Sequence, residues 1–231
     1  MRYAAVLTTV LFLTAALVLS GGPVTGPNRA AAEEGVGLPD IETGEPGSLS
    51  DLLYKRRSVR RFGSGQIQLD EAARLLFAAQ GITRKDRFRT VPSAGALYPL
   101  EIYLAAGEVA GLSPGVYRYR PQEHDLVRVQ EGDKREAIAR AAVGQMWISK
   151  AQAVLVVGAV FERTTSKYSN HGRQYVHMEA GCAAQSISLQ AADLGLGTTV
   201  VGAFRGERIV RLIGAGDDVT PLLLMPVGRL P

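Results

Sequence analysis

A run of cations at residues 55–62 is the part of the sequence with the clearest capacity for chemistry. It reads Lys-Arg-Arg-Ser-Val-Arg-Arg-Phe, which places five cations and one hydroxyl in eight residues. Planar guanidinium groups bind phosphate oxygens in pairs, and the serine hydroxyl adds a neutral donor. A solvated basic surface at a helix end would have the same composition. The run therefore predicts a phosphate site if other segments supply the rest of a pocket.

A second segment, residues 92–99, has the composition of a tight turn against a flat ligand. Proline stands at both ends, and Ser93, Ala94 and Gly95 follow Pro92 directly. Small residues let a backbone approach a planar molecule closely, and the serine hydroxyl could donate to a ring heteroatom. By itself the segment predicts only a well-ordered turn.

Signatures of several other kinds of site are missing from the sequence. Gly195-Leu196-Gly197 follows a predicted helix rather than a strand, and no third glycine has the spacing of a dinucleotide fingerprint. Neither a Walker loop nor a serine-histidine-aspartate elbow is present. Cys182 is the only cysteine, so we expect no intrachain disulfide, no zinc site and no bound metal.

Length and charge limit the class of protein further. The 231 residues suffice for one sizeable domain with a packed core. The formal net charge is +4, but Arg2 and Arg29 lie in a segment predicted to be removed. Without these two, 24 basic residues face 22 acidic ones, a balance of +2. That balance is too weak to indicate a nucleic-acid partner.

Residues 1–32 have the pattern of a signal peptide. Arg2 supplies a positive start, an apolar run follows, and three alanines at 30–32 offer a cleavage site. We therefore expect export to the periplasm or the cell exterior, with a membrane anchor if the segment stays uncleaved. The alternative is a start further downstream, which would leave the protein in the cytoplasm. Residues 33–47 have the composition of a linker, and residues 48–231 form the predicted domain.

Hydrophobic periodicity predicts the elements that must position these residues. A helix capped by Ser48 or Ser50 carries the basic run at its end, and Lys167 and Tyr168 fall in a polar loop. The long helix after that loop bears Ala180, Gly181, Ala183 and Ala184, which suits a tight helix contact. Further helices are predicted at residues 69–80, 133–143, 173–194 and 207–213, and strands at 101–106, 115–120, 126–130, 153–160, 198–203 and 222–227. The pattern is α+β or mixed α/β.

Several of these segments resemble one known family in its own order. Residues 56–62 are similar to the flavin-phosphate motif of the FMN-dependent nitroreductase superfamily, and residues 92–101 resemble its SagB/ThcOx-type dehydrogenase branch. The resemblance extends from about Leu49 to the C-terminus. The same branch is indicated by residues 115–119, by Lys167-Tyr168, and by residues 179–181, 195–197 and 201–204.

The resemblance implies a fold and an assembly. The fold is the α+β nitroreductase sandwich, with a central, mainly antiparallel sheet flanked by helices. The assembly is a homodimer with FMN at the subunit interface. Where the family often has histidine after residues 179–181, this chain has Cys182, which we expect to be a buried small hydrophobe.

The resemblance also implies roles for individual residues. Arg56 and Ser58 would hold the FMN phosphate and ribityl chain with help from Arg57 or Arg60, and Arg229 would be a second phosphate ligand. Lys167 and Tyr168 match a pair used in proton removal. The flavin ring would be met by the turn and by the backbone of a later segment (Pro92, Ser93, Ala94 and Gly95; Val201 and Gly202).

We therefore expect an FMN-dependent oxidoreductase that oxidises a small-molecule or peptide-derived substrate. Azoline oxidation is not assigned, because the chain is predicted to be exported and carries no added peptide-recognition domain. One alternative is a nitro- or quinone-reductase that receives electrons from NAD(P)H. Another is a flavin-binding carrier or sensor without turnover. Substrate and electron donor or acceptor are the expected partners, besides the second subunit.

Overall fold

The computed structural model describes residues 38–41, 43–84 and 88–231. Residues 38–41 belong to an N-terminal unit that ends at Ile41, and the remaining description concerns the unit Glu42–Pro231. The predicted signal peptide lies outside the described residues, as do residues 33–37 and 42 of the predicted linker. Within the described part, no helix is both long and apolar enough to cross a membrane.

Five helices and six strands make up the described unit, and most lie where periodicity predicts them. Ser48 caps the first helix, because its Oγ accepts a hydrogen bond from the Asp51 amide at 3.2 Å. The helices are α1 Leu49–Lys55, α2 Leu69–Gln80, α3 Arg135–Ala141, α4 Glu162–Asp193 and α5 Gly206–Ile213. The strands are β1 Leu100–Ala106, β2 Gly115–Arg120, β3 Asp125–Glu131, β4 Ala153–Ala159, β5 Leu196–Thr198 and β6 Thr220–Arg229.

The strands form one sheet in the order β3-β2-β1-β4-β6-β5, and every neighbouring pair is antiparallel. Alternate residues of the central strands point to opposite faces, and both faces are buried. On β1, Ile102 and Leu104 pack beneath α2 and α4, whereas Tyr103 and Ala105 pack beneath α3 and α5. The molecule is therefore an α+β sandwich with a central antiparallel sheet flanked by helices, as predicted.

Helix α4 starts eleven residues before the predicted position, at Glu162 instead of residue 173. It contains a kink at Ser169, whose backbone is non-helical at φ 50° and ψ −136°. Lys167 and Tyr168 thus lie in the helical segment before the kink, so the predicted loop is wrong. The Thr and Ser residues of this segment have low helix propensity, which favours a loop. The Thr164 side chain is nevertheless buried, so the segment packs against the core as a helix.

Two further expectations, a strand over residues 198–203 and a buried Cys182, were wrong. The edge strand β5 ends at Thr198, and after it only Val201 returns to the sheet, exchanging hydrogen bonds with Leu224 at 2.8 and 2.9 Å. Of the small residues of α4, Ala180, Ala183 and Ala184 are buried in the core cluster that also contains residues of α2, in line with the expected helix contact. Gly181 and Cys182 remain exposed, which contradicts the expectation of a buried cysteine.

Candidate functional site

A cleft of about 400 Å³ opens between the basic run, helix α4 and the edge strand β5. Arg56, Ser58 and Arg60 line it, at alternate positions of the segment that follows α1. Two guanidinium groups and a hydroxyl therefore face one cavity, in a size range that suits a small molecule. Such donors can bind a phosphate or another anion.

The basic run is held in place by the sheet. Ser58 forms a parallel bridge to Thr198, and the Val59 amide donates to the Thr198 carbonyl at 2.9 Å. The Val59 side chain packs against Gly197 so closely that a Cβ there would lie 2.6 Å from it. Gly197 is thus required for the close packing of the basic run against β5.

The opposite wall of the cleft contains residues that sequence analysis missed. His177, Gly181, Ala184 and Ser188 recur every three or four residues along α4 and share one face. This spacing is visible in the sequence, but it gains meaning only when the basic run is known to lie opposite. The other missed residues that line the cleft are Ala180, Gln185, Thr198, Thr199, Val200, Leu222 and Leu223.

Two predicted phosphate ligands do not line this cleft. The exposed Arg57 guanidinium donates to the carbonyls of Tyr54 and Arg56, at 2.6 and 2.9 Å. Arg229 forms a two-pronged ion pair with Glu71 at 2.7 and 2.6 Å, and it also donates to the Gln66 carbonyl. In this chain Arg229 ties the last strand to the first turn of α2.

The turn at residues 92–99 is closed by its own serine and lies against the lysine–tyrosine pair. Ser93 Oγ accepts a hydrogen bond from the Tyr98 amide at 2.9 Å. Gly95 adopts a left-handed backbone at φ 62°, and a Cβ built on it would lie 2.9 Å from Tyr168 Oη and 3.0 Å from Lys167 Nζ. Two predicted site segments, far apart in the sequence, therefore meet in the fold.

The lysine and tyrosine are neighbours in space as well as in sequence. Lys167 Nζ lies 5.5 Å from the centre of the Tyr168 ring, and that ring meets Tyr175 edge-on at 5.2 Å between centroids. Lys167 is exposed and Tyr168 is half-buried. An amine and a phenol beside this turn could exchange protons with a ligand that lies on it.

A buried carboxyl group supports the turn from below. Glu179 on α4 is only 4% exposed, and Gln80 Nε2 donates to it at 3.4 Å. Burial raises the pKa of Glu179 to about 7, against the opposing effects of the Ser93 hydroxyl, Gln80 and Arg89. The Gln80 side chain also accepts a hydrogen bond from Arg89, so a polar network runs beneath the turn.

The predicted site residues thus fall into two groups within one chain. Arg56, Ser58 and Arg60 line the cleft, whereas neither the turn nor the Lys167–Tyr168 pair is among its lining residues. Val201 and Gly202 directly follow the cleft residue Val200, but Val201 is buried under the sheet edge and Gly202 is exposed. Pro92 is exposed, and Ser93 and Ala94 are half-buried.

Comparison with known proteins gives relatives over most of this unit. Residues 53–229 match the sequence model of the Nitroreductase family. A nitroreductase-type protein of Methanocaldococcus jannaschii is 48% identical over 192 residues, which cover 83% of this chain and 94% of that protein. The microcin B17-processing protein McbC of Escherichia coli is 27% identical over 146 residues, which cover 61% of this chain and 54% of McbC.

A flavin enzyme and a solved structure extend the comparison. The FMN reductase (NAD(P)H) of Bacillus subtilis is 28% identical over 122 residues, which cover 47% of this chain and 49% of the reductase. The crystal structure of a nitroreductase-type protein from Ralstonia eutropha superposes with a TM-score of 0.70 at 27% identity. That superposition covers 85% of this chain and 88% of the other, and confirms the predicted fold.

Proposed function

The chain belongs to the nitroreductase family, and on that premise we propose that it is an FMN-dependent oxidoreductase of the SagB/ThcOx dehydrogenase type. The proposed substrate is a small molecule or a peptide-derived group that loses a hydride and a proton. The observation that carries the proposal is the position of Gly95 against Lys167 Nζ and Tyr168 Oη. A turn suited to a flat ring and a pair suited to proton removal share one place.

The donor set of the cleft fits the phosphate of FMN. Arg56 and Arg60 supply charge, and Ser58 adds a hydroxyl donor. Thr198 lines the same cleft, and its hydroxyl is buried without a hydrogen-bond partner among the described residues. Buried hydroxyl groups normally have a partner, so this orphan supports a polar ligand in the cleft.

The chain's own residues would remove the proton that must leave the substrate. When bound, the flavin supplies the acceptor for the hydride that leaves the substrate carbon. Lys167 Nζ in its amine form, or a Tyr168 Oη assisted by that lysine, would take the proton from the neighbouring substrate atom. The electron pair of that bond then forms the new double bond. Gly95 permits this because no side chain occupies the space between the turn and the pair.

We also propose a homodimer in which each cleft is completed by the second subunit. The two groups of site residues lie apart within one chain, so a ligand that contacts both can do so between two chains. The outer face of α4 supports this arrangement. Met178 is an apolar side chain that is 55% exposed beside exposed Gly181 and Cys182, so this face offers apolar surface to a second subunit. Light scattering should report a dimer, whereas a monomer that retains bound FMN would refute the proposal.

A second candidate function is a nitro- or quinone-reductase supplied with electrons by NAD(P)H. The names of the Methanocaldococcus and Bacillus relatives favour it. In that reaction the acceptor collects electrons from reduced flavin and can take its protons from water, so Lys167 and Tyr168 would be dispensable. An anaerobic screen of NADH, NADPH and organic substrates for bleaching of the flavin absorbance separates the two candidates.

The first experiment is a test for the cofactor itself. The purified protein should be yellow and release FMN rather than FAD on denaturation. A colourless protein that also fails to quench the fluorescence of added FMN would overturn the proposal.

We also propose that residues 1–32 direct export of the protein. Fractionation of the native host should then place the protein outside the cytoplasm.

A further inference from the structure

A second cleft, of about 370 Å³, includes Arg89 and Arg163, which both contact Tyr98 of the turn at residues 92–99. Its walls come from the start of β1, the end of β2 with the hairpin loop, the end of α2 and the start of α4. Cations outnumber anions among the lining residues by two. Its charged residues are Arg89, Arg118, Arg120, Arg163, Glu101 and Glu123.

Two of these four arginines are neutralised by carboxylates of this chain. Arg163 Nη2 pairs with Glu101 at 2.5 Å. Arg120 donates to both oxygens of Asp125, with Nε to Oδ1 at 2.7 Å, and lies 3.9 Å from Glu123. These pairs account for the acidic residues of the cleft. Among the residues that the structure describes, the other two arginines have no carboxylate within ion-pair distance.

The Arg89 guanidinium lies where a charged group is energetically unfavourable. One nitrogen donates to the Gln80 amide oxygen, but its Nε is buried and has no hydrogen-bond partner in the described part of the chain. Burial lowers the pKa of Arg89, although Glu179 opposes this from beyond Gln80. A buried charged donor normally has a partner, so the position favours an anion from outside the chain.

Arg118 supplies the second unneutralised charge. It lies on β2 at a position paired with Val127, and its side chain is exposed. Over the residues that the structure describes, that side chain makes neither a hydrogen bond nor an ion pair. The cleft thus combines one partly buried and one exposed guanidinium, in a volume that admits a small ligand.

We propose that this second cleft binds an anionic group of the carboxylate or phosphate class, with Arg89 and Arg118 as its cationic ligands. The site is joined to the turn through Tyr98. Arg89 stacks over the Tyr98 ring at 4.4 Å, and Arg163 Nη1 donates to the Tyr98 carbonyl at 3.2 Å. The amide of the same residue closes the turn on Ser93. The anion belongs either to the substrate or to a separate effector. The two arginines would recognise it through the same charged hydrogen bonds in both cases.

Binding can be measured without turnover, so this test does not depend on the proposed function. The purified protein, with whatever cofactor it retains, is titrated calorimetrically with succinate and, separately, with inorganic phosphate. The titrations are repeated in an Arg56→Ala background, which removes a cation of the first cleft. We expect one saturable site for at least one probe in both backgrounds.

Three variants assign that site. Arg118→Gln should weaken the probe by about tenfold or more, the scale of a lost charged hydrogen bond. Arg89→Gln should do the same, but Arg89 is partly buried and its loss could also affect folding, so exposed Arg118 decides. Arg128→Gln is the matched control, because Arg128 is exposed on the neighbouring strand, pairs with Glu131 at 3.1 Å and does not line the cleft.

The source of the anion follows from kinetics with nitrobenzoate and nitrobenzene as acceptors. A substrate-borne anion predicts that Arg118→Gln raises KM for nitrobenzoate alone. A separate effector predicts that succinate changes nitrobenzene turnover in the parent and not in Arg118→Gln. Either pattern supports the site. Absence of saturable binding of both probes, or equal affinity in the parent and Arg118→Gln, overturns it.

Discussion

Gly95 and Lys167 are separated by 72 residues in the sequence, yet a Cβ built on Gly95 would lie 3.0 Å from Lys167 Nζ. The glycine backbone is left-handed at φ 62°, so it has two reasons to lack a side chain. The conformation disfavours other residues, and the space is already taken by the lysine and by Tyr168. This close approach joins the turn to the Lys167–Tyr168 pair.

The Gly95→Ala substitution should therefore impair catalysis beyond its effect on stability. The left-handed backbone should cost about 1–2 kcal/mol of unfolding free energy, and the methyl group should also displace Lys167 and Tyr168. Gly132→Ala is the control, because Gly132 has φ 75° and nothing within 4 Å of its built Cβ. Urea denaturation should show similar losses for both. Equal rates of flavin reduction in the two variants would contradict a role for the contact.

Lys167→Ala and Tyr168→Phe should both retain flavin, and at least one should slow flavin reduction by an organic substrate. Loss of a general base lowers the chemical step by about 10²–10⁴-fold. Stopped-flow absorbance measures that step, and the flavin-to-protein absorbance ratio checks binding. If both variants reduce and reoxidise like the parent, the reductase candidate replaces the dehydrogenase.

Arg56→Ala should weaken FMN by about 1.5–3 kcal/mol, the scale of a charge-assisted hydrogen bond. The reason is that Arg56 lines the cleft with Ser58 and Arg60. Arg57→Ala is the adjacent control, since the Arg57 guanidinium is occupied by backbone carbonyls of its own segment. Fluorescence titration of apoprotein with FMN measures both. An unchanged affinity in Arg56→Ala would remove Arg56 from the phosphate ligands.

Arg229→Gln tests two conflicting roles for one residue. The structure predicts a loss of about 1–3 kcal/mol of stability with FMN affinity unchanged, because the variant breaks the two-pronged pair with Glu71. Glu71 also accepts from the Gln68 amide at 2.7 Å, so the start of α2 is affected as well. Weaker FMN binding at undiminished stability would instead favour the phosphate role implied by family resemblance.

Stability should depend on the ionisation of Glu179 between its ordinary pKa of 4.5 and the raised value of about 7. In this window the folded state holds the proton that the unfolded state has lost, so the unfolding free energy falls as pH rises. The effect of burial is on the order of 3 kcal/mol at most. Glu179→Gln should lack the decline, and Glu162→Gln, at an exposed position of the same helix, should keep it. Parallel pH profiles of Glu179→Gln and the parent would contradict the raised pKa.

The position of Arg89 shows why the polar network could not be found from sequence. Residues 80, 89, 93 and 179 have no common spacing, and each alone is an ordinary polar residue. They meet because α2 and α4 pack side by side on one face of the sheet. Only after that packing is known do Gln80, Arg89 and Glu179 form a connected set.

Sequence periods of 2 and about 3.6 residues predicted most elements, because they record which faces are buried. They left the fold class open between α+β and mixed α/β, and the family resemblance in the sequence implied the α+β sandwich. The sequence also identified the basic run, the turn and the Lys167–Tyr168 pair as separate motifs. Tertiary structure decided that α4 begins at Glu162, that Arg229 pairs with Glu71, and that the turn meets the pair. Local pattern carries no information on contacts between distant segments. Those contacts follow from the sheet order and from how helices pack upon it.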